Sequence, residues 1–167
     1  MSATVQVAEY NGAEQTKTAN ITNSNMGDSD SANMTAANYP ITPGENSYEK
    51  WQKIEVTNMG GSSKVKNLKI WYSGTLGGSA SFKSNVRVAD YGGAESYAQP
   101  VKTDSSVADQ TMPSSEPATP NLGIGGSLTG EMTVPGLSDY LVMQIQTDAE
   151  DTAGATVTMH YKYTEIV

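Results

Sequence analysis

Apolar and polar side chains alternate most clearly between Tyr48 and Ala89, YEKWQKIEVTNMGGSSKVKNLKIWYSGTLGGSASFKSNVRVA. A first run carries Trp51, Ile54 and Val56 and stops at Asn58-Met59-Gly60-Gly61; a second carries Val65, Leu68, Ile70 and Trp71 and stops at Gly74. A third sets Ala80, Phe82, Ser84, Val86 and Val88 against Ser81, Lys83, Asn85 and Arg87. Period-2 alternation punctuated by glycine predicts half-buried antiparallel strands. Both tryptophans and the only phenylalanine lie in this stretch, which places the core here.

The flanks repeat the pattern more weakly. Residues 3–10 predict a strand ended by Asn11-Gly12, a strong turn signal. Thr16–Thr22 predicts a polar edge strand, and Tyr97–Thr103 a short one that Pro100 demotes to an edge or bulge. Leu128–Val134 predicts a further strand, closed by Pro135-Gly136. Leu137–Ile145 sets Leu137, Leu141, Met143 and Ile145 on one face and Tyr140, Val142 and Gln144 on the other. Thr156–Ile166 alternates most cleanly, with Val157, Met159, Tyr161 and Tyr163 opposed to Thr158, His160, Lys162 and Thr164. Two segments, 23–39 and 104–122, follow neither period and predict extended loops or arms. The expectation is all-β: one domain over residues 1–167, an antiparallel two-sheet sandwich of seven to nine strands, jelly-roll or immunoglobulin-like.

Composition sharpens this reading. Hydrophobic residues are 37% of the 167, and Gly, Ser, Thr and Asn are abundant, a mixture that disfavours helix. The net charge of −8, from 18 acidic and 10 basic residues, argues against nucleic acid as a partner. There is no cysteine, which removes disulfides, thiol catalysis and cysteine-held metals. No run approaches the apolar length of a membrane span, and MSATVQVAEYNG has neither the basic nor the apolar part of a secretory signal. The expectation is a soluble product made in a cytosol, with no membrane partner.

Chemistry is harder to find. The single histidine, His160, reads as an exposed strand residue. No GxSxG, HExxH or P-loop pattern occurs, and Gly123–Gly126 reads as a turn. Carboxylate pairs that a glycosidase would need are Asp28 with Asp30, Glu45 with Glu49, or the run Asp148, Glu150 and Asp151; all fall in or next to turns. The last run also offers oxygens to calcium but lacks the glycine and spacing of a dedicated loop. Trp71, on the face opposite Leu68, Ile70 and Tyr72, is the better candidate for a sugar platform, with core or interface as the plainer use. The sequons at Asn20 and Asn33 are expected by chance in so Asn- and Thr-rich a chain. No catalytic, cofactor-binding or metal-ligating residue is assigned, and no cofactor is expected.

The segment YPITPGENSYEKWQKIEVTNMGGSSKVKNLKIWYSG, Tyr39–Gly74, resembles small tailed-bacteriophage virion structural proteins. There a Pro/Gly turn leads to S-Y-E-K-W, an alternating strand, a turn like N-M-G-G-S-S and a strand ending N-L-K-I-W. The run Tyr161-Lys-Tyr-Thr-Glu165 is similar to the closing strand of the same group, and together these cover about a third of the chain. The resemblance implies a non-enzymatic β-sandwich of the capsid, neck or tail, foremost an auxiliary capsid (decoration) protein. It would be located in the virion after synthesis in the host cytoplasm. Its partners would be other virion proteins (major capsid or neck/tail subunits) and further copies of itself. A carbohydrate- or receptor-binding module is the alternative.

Overall fold

The computed structural model describes residues 1–152 and 154–167. Among the described residues nine strands follow in chain order: β1 (Thr4–Glu9), β2 (Lys50–Asn58), β3 (Lys64–Ser73), β4 (Ser81–Ser84), β5 (Gln110–Thr111), β6 (Glu131–Met132), β7 (Gly136–Leu137), β8 (Leu141–Gln146) and β9 (Thr158–Ile166). They form two antiparallel sheets, a larger one ordered β1-β2-β8-β4-β5 with β7 beside β2, and a smaller one ordered β6-β3-β9. The helical content is two single 3-10 turns, Ala13–Gln15 and Ala36–Asn38.

The main core lies between the sheets, where Ile54, Phe82, Leu141, Met143 and Ile145 of the larger sheet meet Leu68 and Ile70 of β3. Val65 and Leu68 are three residues apart yet both point inward, which an unbroken strand forbids. A bulge between Lys66 and Lys69 absorbs the extra residue, with Asn67 in the left-handed region at φ 57°. Asparagine tolerates that conformation better than most residues.

The larger sheet is buried on both faces. Ala8, Tyr10, Trp51, Tyr140 and Val142 point away from the sandwich and form a second cluster covered by Ala94, Tyr97, Val107 and Ala108. Both predicted faces of β8 are thus covered, by different layers. Trp51 belongs to this outer layer, edge-on to Tyr97 and Tyr140, rather than to the core that holds Ile54 and Val56.

Several predicted strands are replaced by irregular chain. Thr16–Thr22 is not a strand: Thr18 exchanges hydrogen bonds with Glu9, Ile21 N–H donates to Val7, and the segment merely follows the edge of β1. Tyr97–Thr103 is irregular too, and the strand predicted across Leu128–Val134 shrinks to β6. The third central strand ends at Ser84 rather than Val88, whose side chain is exposed. Segments 23–39 and 104–122 do lack regular structure apart from one 3-10 turn and β5, but they lie against the sheets. Met34, Ala108, Met112 and Leu122 are buried.

Asparagine side chains explain how irregular chain can line a sheet. A primary amide offers the donor and acceptor of a peptide group. Asn121 accepts from Ile70 N–H and donates to Ile70 C=O, both at 2.8 Å. Asn85 accepts from Val142 N–H at 2.9 Å and donates to Tyr140 C=O at 2.8 Å. Asn11 accepts from Trp51 N–H at 2.9 Å and donates to Glu49 C=O at 2.6 Å. Each does the work of one residue of a neighbouring strand.

A polar knot sits on the inner face at one end of β1 and β2. Lys50 Nζ lies 3.0 Å from Glu9 Oε1, and both side chains are 1% exposed. Gln52 donates to Glu9 Oε2 at 3.0 Å and to Ser24 Oγ at 2.6 Å, and accepts from the Tyr161 hydroxyl at 2.9 Å. Lys50 also donates to Ser31 C=O at 2.7 Å, which pins the 23–39 segment to the sheet.

Lys50→Met should destabilise the protein by about 3–5 kcal/mol in urea titration, because Glu9 is left buried without its counter-charge. The double change Glu9→Leu with Lys50→Met should recover most of that loss. Asn121→Ala should cost about 1–3 kcal/mol by stranding the Ile70 peptide groups; a cost within error of zero would show that water replaces the amide.

Candidate functional site

His160 lies on the outer face of the smaller sheet, its ring stacked on Trp71 with centroids 4.8 Å apart and planes 5° apart. Its Nε2 is 2.7 Å from Ser73 Oγ, a nucleophile-and-base pairing that sequence separation concealed. Among the described residues Nδ1 has no hydrogen-bond partner to fix the tautomer, and the pair stands on an open strand face outside both cavities described below. Trp71 is half-buried, and the imidazole covers one side of its indole. Trp51 is ruled out as a platform by burial, and its Nε1–H donates to Glu49 at 2.9 Å.

The carboxylate candidates are not brought together as acid–base pairs. Asp28 and Glu45 both bind Lys102, at 2.7 and 2.6 Å. Asp30 accepts from Asn11 and Gly12, each at 2.9 Å. Glu49 is buried and takes bonds from Trp51, Ser105 and Val101, fastening the 97–108 layer to the sheet. Asp148 and Glu150 are exposed, whereas Asp151 turns inward to accept from Asp148 N–H at 2.7 Å and Ser79 N–H at 2.6 Å. Among the described residues no three histidine or acidic side chains cluster as metal ligands.

The remaining motifs are conformational. Asn20 and Asn33 are exposed and left-handed, at φ 56° and 54°, which accounts for asparagine at both. Gly123–Gly126 is a turn closed on Asp139, which accepts from Gly126 N–H at 3.0 Å and the Tyr91 hydroxyl at 2.9 Å. A Cβ on Gly123 would stand 2.5 Å from both Asp139 and Tyr91, so a side chain there would break the contact. Burial, followed by the Asp139 charge, pushes the Tyr91 hydroxyl well above its ordinary pKa.

What sequence reasoning missed is a groove of about 680 Å³ at one side of the sandwich. Its accessible apolar lining is the half-buried Met26, Ile41, Leu76, Val157, Met159 and Tyr161, packed over the buried Phe82, Met143 and Ile145 of the larger sheet. Residues of segments 21–26 and 36–43, with Leu76, Gly77 and residues 154–157, complete the lining. Among the described residues no lysine or arginine lines it, and the one charged lining residue is Asp151. The volume is in the range of sites that take small ligands or side chains. A shallower hollow of about 480 Å³ beside Trp51 and Arg87 lies on the outer layer. Comparison with protein-family models, with curated proteins and with solved structures finds no match to this chain.

Four carboxyl groups have pKa values below their ordinary ones; in Glu55 burial raises it, but hydrogen bonds from Lys17 and Gln6 outweigh that and lower it from 4.5. Asp151 is lowered from 3.8 by the Asp148 N–H and then by Ser79. Glu165 is lowered from 4.5 by the Ala3 N–H and Ser62 hydroxyl. Glu116 is lowered from 4.5 by Lys162 and then Lys69. A group depressed in the folded state adds stability above its unfolded pKa and loses it as pH falls through the folded one. The urea midpoint should therefore hold between pH 7 and about 5 and fall below about pH 4. Asp151→Asn should flatten part of that fall, and a midpoint that rises below pH 4 would contradict the assignment.

Proposed function

We propose that this chain is a non-enzymatic structural component of a phage particle, binding the capsid or neighbouring subunits, foremost as a decoration protein. The observation that supports this most is how the polar interior is used. Glu9, Glu49, Asp139 and Asp151 each bind structural partners, and a groove with a mostly apolar lining lies at one side of the sandwich. That arrangement suits a rigid block that acts by contact. The resemblance of Tyr39–Gly74 and Tyr161–Glu165 to small virion proteins points the same way. Under this reading the Ser73–His160 contact is a surface hydrogen bond that orients the ring over Trp71.

Cryo-electron microscopy of the particle whose genome encodes the chain tests the proposal. Density for the chain at regular positions is the expected result, and absence from the particle overturns it. A glycan array separates the alternative: binding that Trp71→Ala abolishes would make the open side of Trp71 a sugar platform and the protein a receptor-binding module.

A further inference from the structure

We propose that the outer edge of β9 receives an extended segment of a partner protein as a fourth strand of the smaller sheet, whose alternate apolar side chains fill the groove. This goes beyond the particle reading and does not depend on it.

The direction of the backbone groups is the first ground. In an antiparallel pair, successive residues turn their peptide groups alternately toward and away from the neighbour. Ile70 N–H bonds to Asn121 at 2.8 Å and Tyr72 N–H to Pro113 C=O at 2.9 Å, both away from β9. Their β9 partners, Tyr161 and Met159, therefore turn their own N–H and C=O outward. Tyr163 follows by the same alternation, whereas Ile166 C=O accepts from Ser63 N–H on the β3 side at 2.7 Å. Among the described residues the outward groups of Met159, Tyr161 and Tyr163 have no partner.

The edge is also unprotected. Natural edges are blunted by shortness, proline, bulges, inward charges or a covering segment. β9 is nine residues long, about 30 Å at strand spacing, and contains no proline. Its one lysine, Lys162, reaches Glu116 at 2.8 Å. The edge of β1 is treated differently, since residues 18 and 21 bond along it.

The groove determines what occupies the edge. Met159 and Tyr161 line it, so a strand laid on β9 would turn every second side chain into the same groove, whose accessible apolar lining includes the half-buried Met26, Ile41 and Leu76. With no basic residue in the lining, and Asp148 and Glu150 exposed beside the rim residues Thr147 and Asp151, the fitting segment is apolar inward and basic at its flanks. A second copy fits poorly. Its β9 arrives with its own larger sheet already covering the inward face, and pairing about Lys162 would set two lysines side by side.

The test is amide hydrogen exchange by NMR, with a peptide of Val-Thr repeats flanked by paired lysines. Saturating peptide should slow exchange at Met159, Tyr161 and Tyr163 by about tenfold or more. His160 and Lys162, bonded to β3, should be slow from the start. Ala155→Trp, which adds bulk at an exposed lining residue of the groove, and Met159→Pro, which removes an outward N–H that the fold does not use, should each abolish the effect. Four results would overturn the proposal. They are slow exchange at these amides in dilute free protein, slowing with protein concentration alone (a second copy as occupant), peptide binding in the groove without slowing, and no slowing at millimolar peptide.

Discussion

The Glu9–Lys50 pair is the constraint from which much of the rest follows. Two charges 3.0 Å apart and out of contact with water are a poor source of stability, because desolvation consumes most of their attraction. They discriminate strongly between arrangements, since any fold that separates them leaves a bare buried charge. Here they face inward at the end of β1 and β2, where a sandwich would ordinarily place apolar side chains. Gln52, Ser24, Ser31 and the Tyr161 hydroxyl complete their hydrogen bonding, so the 23–39 segment must return to this corner and β9 must pass beneath it. A stretch with no periodicity of its own is thereby given one path.

The strands that sequence reading recovered best are those that combine length with one apolar face. β2, β3 and β9 match their predicted spans closely, and the two-sheet architecture follows from them and their turns. The reading failed where a side chain takes the place of a strand. Asn11, Asn85 and Asn121 satisfy main-chain groups that a ladder would otherwise satisfy, and a pattern built on apolar alternation scores them as loop. Ser47 and Ser138 do the same with single hydroxyls, accepting from Ile145 and Ile54 N–H at 3.0 and 2.9 Å. Abundant Asn and Ser thus mark, in part, concealed sheet edges rather than only turns.

The candidate site was less legible still. A motif search sees carboxylates and histidine, and it named the acidic residues correctly as present but had no means to know their partners. Glu49 and Asp151 read as turn residues, yet each gathers donors from a distant segment and holds it down. The groove carries no motif at all, because its lining comes from β1, β4, β8, β9 and the loops between strands. Its one trace in the text is the run Met143, Ile145, Val157, Met159, which shows apolar supply without showing that part of it is left uncovered.

The smaller sheet has three strands against six in the larger and ends at β9, which among the described residues pairs with β3 alone. The 23–39 segment is held at the ion pair through Ser24 and Ser31 instead of pairing with β9, and residues 21–26 and 36–43 line the groove with half-buried Met26 and Ile41. A strand with one free edge beside half-buried apolar side chains is a combination that strand addition exploits, with main-chain bonds supplying affinity and side-chain pockets supplying selectivity. Under the strand-addition proposal, a partner would be recognised by its extended backbone first and by the spacing of its apolar residues second.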